Sequence, residues 1–127
     1  MPGNWRRAID PALLEKELKE DKEHEIKGVL IIHTETATGI TNDLPSLRKA
    51  VDSANHPALF LVDTVAAAGT VDYQMDNWGI DVTVTASQKG LMMPPGLGIV
   101  AANAKALSVH QHSTCLLYTS DAADERN

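Results

Sequence analysis

The chain has 127 residues, 43% of them apolar, with 17 acids against 11 Lys and Arg and a formal charge of −6. That composition suits one small globular unit or a piece of a larger one, and its acidic balance excludes a nucleic-acid surface, which needs clustered cations. Apolar runs such as Ala58–Val62 fall far short of the ~20 residues that cross a bilayer, and Met1–Asp10 lacks the apolar stretch of a secretory signal. No membrane partner and a cytoplasmic location are therefore expected.

Asp10-Pro11 opens the first expected helix, because Asp caps orphan amides and Pro at the first helical position loses no hydrogen bond. Leu13, Leu14 and Leu18 share one face, while Glu15–Lys19 and Glu23–Lys27 are spaced for i,i+4 pairs on the remainder. The mixed charge run Glu15–Glu25 reads as a solvated face. Val29–Ile32 follows as a short strand without alternation, the pattern of a strand covered on both faces. A second helix is signalled by the caps Asn42-Asp43 and the stripe Leu44, Leu47, Ala50, Val51 and Ala54, and His56-Pro57 ends it.

Ala58–Val62 is the next strand, Asp63–Gly79 a connection with little strand character, and Ile80–Ala86 a third strand rich in Val and Thr. Leu97–Ala102 is a fourth. The link Ser87–Gly96 is too short and too rich in Pro and Gly for a parallel crossover, so this strand is expected to pair antiparallel. The fold class is thus α/β, a mostly parallel sheet with a final antiparallel strand. No internal repeat is evident, and Gly96-Leu97-Gly98 is too isolated for a dinucleotide loop.

Ligand sites in such sheets lie beyond the carboxyl ends of the strands, which selects His33–Gly39, Asp63–Gly69 and Ser87–Gly96. Each opens on polar groups: His33-Thr34-Glu35-Thr36, Asp63-Thr64 and Ser87-Gln88-Lys89. An acid at the end of a buried strand needs a cation or several donors. Lys89 is one candidate, and a purely structural Asp63–Lys89 ion pair or two separately solvated strand ends are the plain alternatives to a catalytic site. Histidines 24, 33, 56, 110 and 112 have no accompanying acid cluster, so no metal site is expected. Gly39, Gly69 and Gly96 suit loops with unusual backbone angles, and Met92-Met93 reads as loop packing.

Five ordered motifs, His33–Gly39, Leu61–Ala66, Gly79–Val82, Ala86–Leu91 and Pro94–Leu97, together resemble the class V pyridoxal-phosphate-dependent aminotransferases, and within them the serine–glyoxylate and alanine–glyoxylate group. Lys89 follows Asp63 by 26 residues, in keeping with that resemblance. It implies part of the large domain of a fold-type I transferase, with pyridoxal 5'-phosphate as cofactor, small amino acids and 2-oxo acids as substrates, and a homodimeric parent. By the resemblance, Lys89 bonds the cofactor aldehyde and acts as general acid/base, Asp63 pairs with the pyridine nitrogen, Thr36 meets the phenolic oxygen, Val65 packs on the ring and Gln88 lies near the phosphate. Cysteine desulfurases share the lysine and the aspartate but need a nucleophilic cysteine on another loop. A non-enzymatic α/β module is the alternative from a different class.

The resemblance covers most of residues 4–107, and residues 1–114 are expected to be an internal fragment of the large domain, inactive alone, with apolar sheet faces left uncovered. By resemblance, a phosphate-binding glycine loop, a stacking aromatic and a carboxylate-binding arginine lie elsewhere. Residues 115–127 look foreign: Cys115–Glu125 resembles the translation of a transposase adapter used in sequencing libraries, and the tail is set aside. Without Asp121, Asp124, Glu125 and Arg126 the net charge is −4 rather than −6, and no cysteine remains.

Overall fold

The computed structural model describes residues 4–112; Met1 and the tail 115–127, with Cys115, lie outside them. The elements are α1 (Pro11–Glu20), β1 (Gly28–Ile32), α2 (Leu44–Ser53), β2 (Leu59–Asp63), β3 (Val82–Ala86), β4 (Gly98–Ala102) and α3 (Ala104–His110). They form one four-stranded sheet in the order β1-β2-β3-β4. The pairs β1–β2 and β2–β3 are parallel and β3–β4 is antiparallel, as the short Ser87–Gly96 link requires.

Both longer helices start where their caps dictate. Asp10 accepts from the Ala12 amide at 2.9 Å, and Asp43 accepts from the Ser46 amide at 3.2 Å. The Ser46 hydroxyl and amide hold the Asp43 carboxyl below its usual pKa. Helix α1 ends at Glu20, earlier than the charge spacing suggests. Beyond Leu18 no apolar residue continues its buried face, and Asp21 closes the turn by accepting from the Glu25 and Ile26 amides. The Ile26 amide is the main reason that the Asp21 carboxyl is held below its ordinary pKa. The expected Glu23–Lys27 pair is therefore not made, and Lys27 Nζ donates to the His24 carbonyl at 2.5 Å. Glu15–Lys19 does form, at 2.5 Å.

Strand register sorts the sheet into two unequal faces. Ile31, Val62 and the fully buried Phe60 point toward α1 and α2, where they pack on Leu14, Leu18, Leu44, Leu47 and Val51. Burying Phe60 alone is worth about 2–3 kcal/mol of transfer free energy. Leu30, Ile32, Val84 and Val100 stand on the other face and are 36–67% exposed. The continuous apolar run of β1 thus belongs to a strand covered on one face in this chain, and the other face presents the uncovered apolar surface that the sequence leads one to expect.

Helix α3, capped by the Asn103 side chain on the Ala106 amide at 2.9 Å, has no counterpart in the sequence reading. It is short and buries only Ala106, so it leaves no apolar stripe to detect. Among the described residues, no helix is long and apolar enough to cross a membrane, and no group of three or more His, Cys, Asp and Glu could hold a metal ion.

Candidate active site

Because β1, β2 and β3 run parallel and side by side, their carboxyl ends deliver all three polar loops to one edge of the sheet. Asp63 is the last residue of β2, paired with Ile32 and Val84, so its half-buried side chain projects from the open face. Its Oδ1 accepts from the Val65 amide at 2.8 Å. Among the described residues Oδ2 has no hydrogen-bond partner, which leaves a lone pair for a donor. The adjacent Thr64 is buried and fixes the loop on β3, its amide and hydroxyl both donating to the Val84 carbonyl at 2.8 and 3.1 Å.

Lys89 lies three residues beyond β3 and is exposed, as is Gln88. Among the described residues, no ion pair or hydrogen bond engages Lys89 Nζ. The Asp63–Lys89 ion pair considered from the sequence is not formed among the described residues: the Val65 amide serves one carboxylate oxygen, and Lys89 is exposed. The two loops nevertheless touch. A Cβ on Gly90 would sit 2.1 Å from the Ala68 carbonyl oxygen, and one on Gly69, at φ +79°, would sit 2.8 Å from the Gly90 carbonyl oxygen. Only glycine permits this approach of the lysine loop to the aspartate loop.

Ser87 anchors the lysine loop at its root. It is fully buried, its hydroxyl donates to the Pro94 carbonyl at 2.7 Å, and its carbonyl accepts from the Met93 amide at 3.1 Å. The loop closes as a compact excursion that carries Met92, at φ +53° and 91% exposed, on its outside. Thr36 sits on the third loop, exposed, in a turn drawn together by the Gly39 amide on the Glu35 carbonyl at 2.8 Å. That loop is tied to the aspartate strand through the backbone, the His33 amide donating to the Asp63 carbonyl at 2.8 Å.

The site residues read from the sequence therefore share one sheet edge. Asp63 and Val65 meet directly, the Lys89 loop meets the Asp63 loop at glycines, and Thr36 and Gln88 present free side chains to solvent. Sequence reasoning missed Thr64 and Ser87, the buried hydroxyls that hold the loops, and Asp81 at the opposite end of β3. Asp81 is buried, accepts from the Phe60 amide at 2.8 Å, the Asn103 amide group at 2.9 Å and Lys105 Nζ at 3.2 Å, and has Arg48 at 3.7 Å. Burial pushes its pKa up, but the Phe60 amide, Asn103 and Lys105 outweigh burial and leave it below the usual carboxylate value. The signal was present, since an acid beginning an apolar strand needs partners.

An unengaged primary amine on one loop and a carboxylate with a free oxygen on the loop it touches are a donor set that suits an aldehyde joined to a basic ring nitrogen. The amine can bond the aldehyde, and the carboxylate can hold a proton on the nitrogen. Pyridoxal phosphate has both groups, and a hydroxyl on the third loop suits its phenolic oxygen.

Comparison with known proteins agrees. Residues 2–117 match the aminotransferase class-V family, and the chain belongs to that family, whose members depend on pyridoxal phosphate. It is 46% identical over 103 residues to a serine–glyoxylate aminotransferase of Methylorubrum extorquens and 48% identical over 103 residues to an L-aspartate–glyoxylate aminotransferase of Paracoccus denitrificans. Each alignment covers 81% of this chain and 26% of the relative, so the chain spans about a quarter of the length of these proteins. Among solved structures, ureidoglycine–glyoxylate aminotransferase from Bacillus subtilis superposes with a TM-score of 0.78 at 30% identity, over 88% of this chain and 28% of that one. The α/β fold with its final antiparallel strand is thus that of these transferases.

Proposed function

We propose that this chain is the central part of the cofactor-binding large domain, in residues 1–114, of a transaminase that passes an amino group from serine or alanine to glyoxylate. The observation that carries the reading is the contact of the Asp63 and Lys89 loops through Gly69 and Gly90, with an unengaged amine on one and a free carboxylate oxygen on the other. Lys89 would hold the cofactor aldehyde, and its amine would serve as the base and acid that moves the proton at the substrate Cα. Asp63 keeps the ring nitrogen protonated. Thr36 would donate toward the phenolic oxygen, Val65 would pack on the ring, and Gln88 would lie near the phosphate. Bound pyridoxal phosphate supplies the electron sink that makes the Cα proton removable.

Glyoxylate recurs in the names of the similar proteins, whereas the donor changes from serine to L-aspartate. That pattern supports glyoxylate as acceptor more strongly than any one donor. The complete protein is proposed to be a homodimer, and the 127-residue chain to be inactive alone, in keeping with its uncovered apolar sheet face.

The test is borohydride reduction of the complete protein with pyridoxal phosphate, followed by peptide mass mapping and by assay of glycine formation from glyoxylate with serine, alanine and aspartate. An adduct on Lys89 with glycine formed from serine or alanine supports the reading. Sulfide released from cysteine would assign a desulfurase, and no adduct on Lys89 would indicate a non-enzymatic module.

A further inference from the structure

His33 is the one buried side chain at the candidate site whose polar atom is left over. It is 3% exposed, and among the described residues its Nδ1 is the buried side-chain atom without a hydrogen-bond partner. It extends β1 by one residue on the helix-covered face, with its ring 5.7 Å from Tyr73 and 6.2 Å from Trp78, which themselves meet at 5.8 Å. Its backbone joins two of the three site loops, donating to the Asp63 carbonyl and accepting from the Asn42 amide, each at 2.8 Å. The ring thus occupies the point where β1 is fastened to the end of β2.

We propose that His33 is a positioning residue whose neutral imidazole, packed among Tyr73 and Trp78, holds the end of β1 against Asp63, and whose protonation releases that end. The inference rests on the transaminase reading for its consequence, the placement of Asp63 and Thr36 toward the cofactor. A charged imidazole needs two hydrogen-bond acceptors, and a buried nitrogen without a partner cannot provide for one without water entering. Desolvation accordingly lowers the affinity of the ring for a proton, with Asp72 acting in the other direction. The other titratable groups on neighbouring segments are occupied or turned away. The Tyr73 hydroxyl is bonded to Thr83, the Glu35 carboxylate holds the Ala37 amide at 3.0 Å, Asp43 holds Ser46, and the Asp63 side chain lies on the opposite face of the sheet. Because the native ring binds protons less readily than the unfolded chain, its contribution to stability is lost as pH falls below about 6.5.

The test uses the complete protein and a His33→Phe variant, which keeps an aromatic ring and removes the titrating nitrogens. Imidazole nitrogen NMR should show His33 neutral at pH 6, and the protection of its own amide, bonded to Asp63, relative to the intrinsic exchange rate should fall between pH 7.5 and 5.5 in wild type alone. Cofactor release should speed up over the same interval severalfold more in wild type than in the variant. Titration of His33 near 6.5, or identical acid behaviour of the amide in both proteins, overturns the proposal. Should wild type take up no cofactor, the transaminase reading fails, while the NMR and exchange results still decide whether His33 is the latch. If the variant does not fold, the wild-type NMR titration decides it.

Discussion

Gly90 lies against the carbonyl of Ala68 so closely that a methyl group on its Cα would stand 2.1 Å from that oxygen. Two loops separated by the whole of β3 are therefore set at backbone contact distance, and the residue that permits it is next to Lys89. Gly90→Ala must push the loops apart, with a stability cost of about 1–3 kcal/mol for overpacking. Urea unfolding of the complete protein should show that loss, and the yield of the reduced Lys89 adduct should fall with it. Wild-type stability together with wild-type trapping would show that the approach of the loops is not needed.

Lys89→Ala should separate chemistry from structure. Lys89 is exposed and its ammonium has no partner among the described residues, so the change should leave the unfolding midpoint within about 0.5 kcal/mol of wild type. The borohydride adduct should vanish from the peptide map. An adduct persisting on another lysine would move the nucleophile elsewhere.

Ser87→Ala removes a buried hydroxyl that serves the Pro94 carbonyl at 2.7 Å and lies 3.4 Å from the Leu97 amide. Losing that hydrogen bond should cost about 0.5–1.5 kcal/mol. Faster amide exchange confined to residues 87–97 is the expected signature. Exchange that accelerates uniformly over the sheet would instead mean that Ser87 supports the whole domain.

Asp81→Asn should cost about 1.5–3 kcal/mol at pH 7, because it removes the charge that Lys105 Nζ meets and weakens the acceptor for the Phe60 amide. The native carboxyl holds its proton more weakly than the unfolded one. Its contribution is therefore complete above the unfolded value of about 3.9 and fades as pH falls through the lower native value. Denaturant midpoints of the two proteins should differ at pH 7 and converge at the acid end of that range. A difference independent of pH would exclude the charge as its origin.

Much of this was legible in the residues, and the exceptions have physical causes. Asp10-Pro11 and Asp43 announced their helices because capping is a local interaction, and Pro94-Pro95-Gly96 announced the antiparallel turn because it limits chain length. The end of α1 was not legible: Glu23–Lys27 has helical spacing, but a surface pair contributes little and the chain turns where buried leucines stop. Helix α3 offered too little apolar surface to be seen. At the site, Asp63 and Lys89 could be picked out from sequence because an acid at the end of a buried strand needs a partner, whereas their roles and Thr36 came from the family resemblance. Thr64, Ser87 and His33 could not be given their roles, since each acts through burial and contacts to distant backbone that no local pattern encodes.

Strand β3 carries different duties at its two ends. Its amino end is fastened by the ionic cluster at Asp81, and its carboxyl end delivers Ser87 and the lysine loop. Tuning for heat or acid tolerance can thus be directed at the first end without touching the lysine loop, whereas a change at the second end alters that loop and carries a cost in stability with it.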